Sequence, residues 1–225
     1  MTLVRHHLDR SQCKAIARCY APVAQRQYVR WKLACDPVYV AVDELLAGTT
    51  LPLLDVGCGI GLLGQYLHAL GRLPGYVGLD HDLRKISAAR LAAQSVGLQQ
   101  QMQFHPTDVA SLPPIQGNVA LLDVLHYLPA PGQQAMLAAA LQHLAPGGRL
   151  IIRNVLREPN WRFHATRVEE FFLRRSGWIP GGAQHYPTAM ELRLPLENAG
   201  LDVRITPLRG RTPFNSYLIV AQRHD

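Results

Sequence analysis

The chain has 225 residues, of which 48% are apolar and 17% charged, with 18 Gly and 16 Pro. This is the composition of one globular domain or one domain with an appendage, and it excludes collagen-like, coiled-coil and disordered classes. The formal charge of +7, carried by 20 Arg and 3 Lys against 16 acidic residues, raises the question of an anionic partner, although an Arg-rich coding bias produces the same excess.

Cys13, Cys19, Cys35 and Cys58 form no CxxC pair and have no His at metal-ligand spacing. With no secretory leader in the sequence, they read as reduced thiols of a cytoplasmic protein. The longest stretch without Asp, Glu, Lys or Arg, residues 124–148, holds Pro129, Pro131, Gln133, Gln134, Gln142 and Pro146, so no membrane span is expected.

Residues 9–46 have helix-compatible composition, broken at Pro22 and Pro37. Val23, Tyr28, Trp31 and Leu33 recur loosely, which predicts helices lying on another layer. Residues 1–50 are therefore expected to form an N-terminal helical lid on a main domain of residues 51–225. From residue 51, apolar runs at 51–56, 76–79, 102–104, 118–122, 150–155, 203–206 and 216–221 alternate with helical patterns at 61–70, 83–96, 133–144 and 187–199. Such alternation predicts parallel strands joined by crossover helices, an α/β doubly wound sheet. The last two runs lack an intervening helix and are expected to pair antiparallel at one edge. Thr188 and Glu191 read as a capping box, and Pro195 implies a kink or a late start in that helix. Residues 157–186 read as an insertion after strand five, rich in Arg and in aromatics such as Trp161, Phe163 and Trp178. Long segments at the ligand end of such a sheet tend to carry function.

The sharpest signal is the run from Leu53 to Gly61, an apolar strand entering the turn Gly57-Cys58-Gly59-Ile60-Gly61 and then a helix. Glycines there let a ligand approach the backbone, and free N–H groups at the helix start would favour polar or anionic ligand atoms. Gly59, Gly61 and Gly64 literally match a dinucleotide fingerprint, with Asp80 placed 19 residues beyond Gly61. However, Asp55 would repel a pyrophosphate and instead suits an amine-bearing ligand. Asp80 ends the second strand, where a carboxylate can accept both ribose hydroxyls. Asp108 follows the third strand, where it can meet an adenine amino group. Three acids at consecutive strand ends describe a nucleoside with an amino-acid tail and no phosphate.

These segments resemble the class I S-adenosylmethionine-dependent methyltransferases. The run from Leu54 to Gly61 looks like the family's first motif. Gly78-Leu79-Asp80 and Thr107-Asp108-Val109 match its ribose and adenine positions, Asp123 to Leu128 its fourth-strand segment, and Leu144 to Leu150 its turn before strand five. The resemblance implies a Rossmann-like sheet of seven strands with the last antiparallel, and S-adenosylmethionine as cofactor. It further implies that Asp55, Gly57 and Gly59 hold the methionine end and Asp80 the ribose, with Cys58 and Gly61 in the same cofactor-binding turn; His81, beside Asp80, is expected to pack along the adenosine edge or to face solvent. Asp108 and Val109 would hold the adenine, and Asp123 with Leu122 and Val124 would lie near the sulfonium.

The residues after strand four narrow the acceptor. Asp123-Val124-Leu125-His126-Tyr127 lacks the Pro-Pro-aromatic run of amino methyltransferases of bases, and no Cys follows a proline. Strand five ends Arg153-Asn154, where an Arg would repel a divalent ion, so no metal is expected. A small-molecule or carrier-protein-bound acceptor methylated on oxygen remains, as in bacterial secondary metabolism. His126 is the first candidate base, flanked by Tyr127, with His185, His164 and Tyr186 as alternatives from the insertion. Tyr20, Tyr28 and Trp31 would either close over the site or pack on the sheet. Residues 51–152 are electrically neutral, whereas 1–50 and 153–179 each carry +3. An acidic acceptor such as an aryl carboxylate or a carrier-bound compound is therefore expected ahead of nucleic acid. A nicotinamide-dependent oxidoreductase and an RNA- or protein-binding Rossmann-like domain stay open as alternatives at this stage, as does the oligomeric state.

Overall fold

The computed structural model describes residues 8–73, 75–107, 115–164, 182–210 and 215–223. Helices α1 (Arg10–Arg18), α2 (Val23–Cys35) and α3 (Val38–Leu46) precede strand β1 (Leu53–Val56). The chain then alternates α4 (Leu62–Ala69), β2 (Tyr76–Leu79), α5 (Leu83–Ser95), β3 (Met102–His105) and β4 (Asn118–Leu122). A 3-10 turn at Leu125–Tyr127, α6 (Ala130–Gln142), β5 (Arg149–Val155), α7 (Ala189–Asn198), β6 (Leu201–Pro207) and β7 (Ser216–Arg223) complete the described order.

The seven strands form one sheet in the order β3-β2-β1-β4-β5-β7-β6. β1 to β5 run parallel, while β7 lies antiparallel between β5 and β6. The expected Rossmann-like architecture is thus present, and the antiparallel β6–β7 pair forms its outer edge. All four residues of β1 and most of β4 are buried, because helices cover both faces of a parallel sheet. One face packs Leu53, Ala120 and Ile151 with α4, α5 and the N-terminal helices, which contribute Ile16, Tyr20, Val29, Tyr39, Val42 and Leu46. The other packs Leu54, Val56, Leu121 and Ile152 against Leu137 and Ala140 of α6 and Leu192 and Leu196 of α7.

Local chemistry sets the element ends. Asp9 caps α1 in a reciprocal box with Gln12, and Thr188 and Glu191 do the same for α7. α6 begins at residue 130 rather than at the expected 133, because Pro131 fits a first helical turn, where its missing N–H is no loss. Pro195 sits inside α7 without ending it. The Glu191 carbonyl, deprived of its partner four residues on, accepts the Gln134 side-chain amide at 3.3 Å instead. Among the described residues no helix is long and apolar enough to cross a membrane.

Candidate active site

The carboxyl ends of β1, β2, β4 and β5 meet along one edge of the sheet, where Asp55, the glycine turn, Asp80, Asp123 and His126 lie. Asp55, next to last in β1, is 2% exposed, and its Oδ2 accepts the Tyr76 hydroxyl at 2.5 Å. Burial pushes its carboxyl up to about 7, against the opposing pull of the Tyr76 hydrogen bond and with a further push from Asp80.

The turn after β1 folds onto the end of β2. Gly57 and Cys58 donate their N–H groups to the Leu79 carbonyl at 2.7 and 2.8 Å. Gly59 donates to Asp80 Oδ2 at 3.0 Å, and Gly61, the left-handed N-cap of α4, donates to the Cys58 carbonyl at 3.0 Å. The free N–H groups expected from the sequence belong to the start of α4 at Leu62; these four amides of the preceding turn are spent internally, because β2 brings a carbonyl and a carboxylate within reach. Two glycines show where bulk is tolerated. A Cβ on Gly57, at φ +78°, would lie 2.3 Å from Val124 Cγ2, whereas one on Gly59 would meet nothing within 4 Å. The loop is sealed against Val124, just beyond β4, and open above Gly59.

Asp80 is 6% exposed, and its carboxylate is aimed by the N–H groups of Gly59 and Asp82 at 3.0 and 2.9 Å. His81 Nδ1 and Lys85 Nζ stand 3.6 and 3.8 Å from it, the His81 ring fully in solvent. The Cys58 side chain faces the sheet over Gly78, where burial raises its thiol, so only its backbone borders the loop. An acceptor-only carboxylate beside an open glycine turn suits a ribose diol, so these residues fit an adenosyl cofactor. Asp108, Val109, most of the insertion and residues 211–214 lie outside the described residues.

At the ends of β4 and β5 the structure adds a network. Asp123 adopts φ 60°, a left-handed conformation that costs a non-glycine residue energy and concentrates at functional sites. Its N–H donates to the Arg153 carbonyl at 2.9 Å, and its carboxylate lies 3.2 Å from Arg153 Nη1. The same Nη1 meets Asp36 Oδ2 at 2.6 Å, and Lys32 Nζ meets that oxygen at 2.8 Å. Burial would raise the Asp36 carboxyl, but the Arg153 and Lys32 charges outweigh it and hold it below the usual range. α2 is thereby tied to the strand ends. Tyr20 adds a second tie, donating its hydroxyl to the Ile60 carbonyl at 3.2 Å. Trp31 is 47% exposed.

His126 is 6% exposed, in the 3-10 turn after β4. Its Nδ1 lies 2.9 Å from Asn154 Oδ1 on β5, and its backbone N–H reaches the same oxygen at 3.3 Å. Tyr127 packs on its ring at 4.1 Å, and Tyr186 stacks nearly parallel at 6.0 Å. Phe163 closes edge-on over Tyr186 at 5.1 Å. His185 contributes mainly through its backbone: Gln184 and His185 donate to the His126 carbonyl at 2.8 and 3.3 Å, while the His185 ring turns to Glu191 at 3.4 Å. His164 is exposed. Asp36, Tyr76 and Asn154 were not singled out as site residues from the sequence, since nothing local marks them.

The sequence profile of a family described as a methyltransferase domain matches residues 54–150. A ubiquinone biosynthesis O-methyltransferase of Xanthomonas euvesicatoria pv. vesicatoria is 30% identical over 176 residues, covering 76% of this chain and 71% of that protein. Among solved structures, magnesium protoporphyrin IX methyltransferase from Synechocystis PCC 6803, with bound SAH, superposes with a TM-score of 0.65 at 20% identity, covering 98% of this chain and 97% of that one. An O-methyltransferase family protein from Burkholderia thailandensis gives 0.69 at 20% identity, covering 96% and 66%.

Proposed function

The chain belongs to the class I S-adenosylmethionine-dependent methyltransferases of the small-molecule type, and from that premise we propose that it methylates a hydroxyl oxygen of a small acidic aromatic acceptor, with His126 taking the hydroxyl proton. S-adenosylmethionine, when bound, supplies a methyl group on a positively charged sulfur, so the acceptor oxygen forms the new O–C bond as the C–S electron pair returns to sulfur. The protein's own part is to hold, orient and exclude water.

We assign Asp80 to the ribose hydroxyls, the turn at residues 57–61 to the methionine end, and Asp123 with Val124 to the wall nearest the reacting methyl. Asp108 and Val109 keep their adenine assignment from sequence. The observation that carries the reading is the buried His126 imidazole, held at Nδ1 by Asn154 on the carboxyl edge that also carries the glycine turn. A base there removes the proton that would otherwise leave the product oxygen positively charged. Phe163, Tyr127 and Tyr186 supply aromatic walls for a planar acceptor. The net positive charge of residues 1–50 and 153–179 supports an acidic one, free or carried on an acyl carrier protein, as in bacterial secondary metabolism. The N-terminal helices serve as its lid, and four free thiols suit a cytoplasmic setting.

Incubation with tritiated-methyl S-adenosylmethionine and a panel of aryl hydroxy acids, free and as carrier thioesters, tests the acceptor class. His126→Ala is expected to lower kcat by ~100- to 10,000-fold while the Kd for S-adenosylmethionine is unchanged. Retained turnover would remove His126 from the chemistry.

A further inference from the structure

We propose that Asn154 is the positioning residue that fixes which nitrogen of His126 is free to accept a proton, an inference that rests on the assignment of His126 as base. An amide beside an imidazole is ambiguous in principle, because it offers an acceptor on one side and a donor on the other. Here two independent hydrogen bonds remove the ambiguity. Asn154 Nδ2 donates to the Val155 carbonyl at 2.9 Å, which occupies the donor end of the amide with a partner that can only accept. The His126 backbone N–H, which can only donate, points at Asn154 Oδ1 at 3.3 Å. Both contacts demand the same orientation, with the carbonyl oxygen facing His126.

The consequence falls on the ring. At 2.9 Å from an acceptor oxygen, Nδ1 must carry the hydrogen, so in the neutral imidazole Nε2 holds the lone pair. Among the described residues Nε2 has no hydrogen-bond partner. Free neutral imidazoles on a peptide prefer the opposite tautomer, with the hydrogen on Nε2, which could not accept a proton at that atom. Asn154 is 0% exposed, so water does not compete for its carbonyl.

The ring is braced from the other side as well. The His126 carbonyl accepts the N–H groups of Gln184 and His185, and Gln133 Nε2 donates to the His185 and Leu128 carbonyls at 2.8 and 3.1 Å. The backbone at 126 is therefore pinned whether or not Asn154 is present. Asn154 accepts the His126 N–H and adds what the bonds to the carbonyl do not, the choice of nitrogen. Proton transfer is then balanced: the acceptor O–H bond breaks, its proton goes to Nε2, and the imidazolium carries hydrogen on both nitrogens until solvent takes one.

The test reads the tautomer directly. Long-range 15N–1H correlation of the full chain labelled with 15N-histidine, assigned by comparison with His126→Gln, is expected to show the neutral His126 ring protonated at Nδ1 and bare at Nε2. In Asn154→Ala the pattern should move toward the Nε2–H form, with kcat about tenfold to a hundredfold lower and S-adenosylmethionine affinity unchanged. Wild-type protein showing the Nε2–H form overturns the proposal without any variant having to fold. An Asn154→Ala variant that folds and keeps the wild-type pattern overturns it as well. If the tautomer responds as expected but kcat does not, the positioning stands, and it is the assignment of His126 as base that fails.

Discussion

Asp55→Asn isolates the energetic consequence of placing a carboxyl under the glycine turn. The carboxyl is fully enclosed, and burial raises it from the ordinary 3.8 to about 7 in the folded protein. Between those values the folded state holds a proton that the unfolded chain has released, so stability falls as pH rises through this window. Below about pH 4 both states are protonated and the penalty vanishes; above about pH 7 it is complete. Asparagine keeps the shape and can still accept the Tyr76 hydroxyl, but it has no charge to bury. Taking about 1.4 kcal/mol per pKa unit, the stability of the variant relative to wild type should grow by about 2.5 kcal/mol between pH 5 and pH 8. Urea unfolding of both proteins at the two pH values, with equal m, measures that change, because all other titrations are common to the pair. A gap that does not change with pH would show that the Tyr76 hydroxyl, at 2.5 Å, compensates burial fully, and the reasoning would be wrong.

Two further substitutions probe the rest of the edge. Asp80→Ala removes an oriented, charged acceptor and should weaken S-adenosylmethionine binding by ~1–3 kcal/mol, read by isothermal titration; unchanged affinity would detach Asp80 from the cofactor. Asp36→Ala removes the nearer of two carboxylates from Arg153, which is 6% exposed, and the partner of Lys32, and should cost about 3 kcal/mol of unfolding free energy. The Asp36 contribution should also disappear as pH falls below about 4, since its carboxyl is held below the ordinary value in the fold. A loss under 1 kcal/mol in Asp36→Ala would mean that Asp123 alone satisfies the guanidinium.

Periodicity in the sequence located every described strand to within a few residues, because a buried parallel strand is a short apolar run and its crossover helix an amphipathic one. The glycine turn and Asp80 were legible for the same local reason. The partners of those residues were not. Asp36 and Arg153 are 117 positions apart, and neither stands in a motif. Read alone, Arg153 argued only against a metal; in the fold it is neutralised from two sides. His126 was found because it follows β4, but its pairing with Asn154 depends on β4 and β5 being neighbours, which no local pattern encodes. The internal use of the turn's amides was likewise hidden, since it depends on how closely the end of β2 approaches.

The direction of β7 has a consequence for how such an enzyme can change its substrate. Parallel strands contribute the loops that leave them to the reactive edge, but β7 runs the other way, with Ser216 beside Val155, and so contributes the loop that enters it. Asn215 fastens that entry to the segment leaving β5, donating to the Leu156 carbonyl at 2.9 Å and accepting from Asn160 at 3.2 Å. Tyr217 adds a bond to Glu158 at 2.7 Å. Two stretches some fifty residues apart in sequence are thus joined by side-chain hydrogen bonds, on the far half of the sheet from the glycine turn. Replacing either stretch alone would break these bonds, whereas moving the two together would keep them and leave the glycine turn and Asp80 untouched.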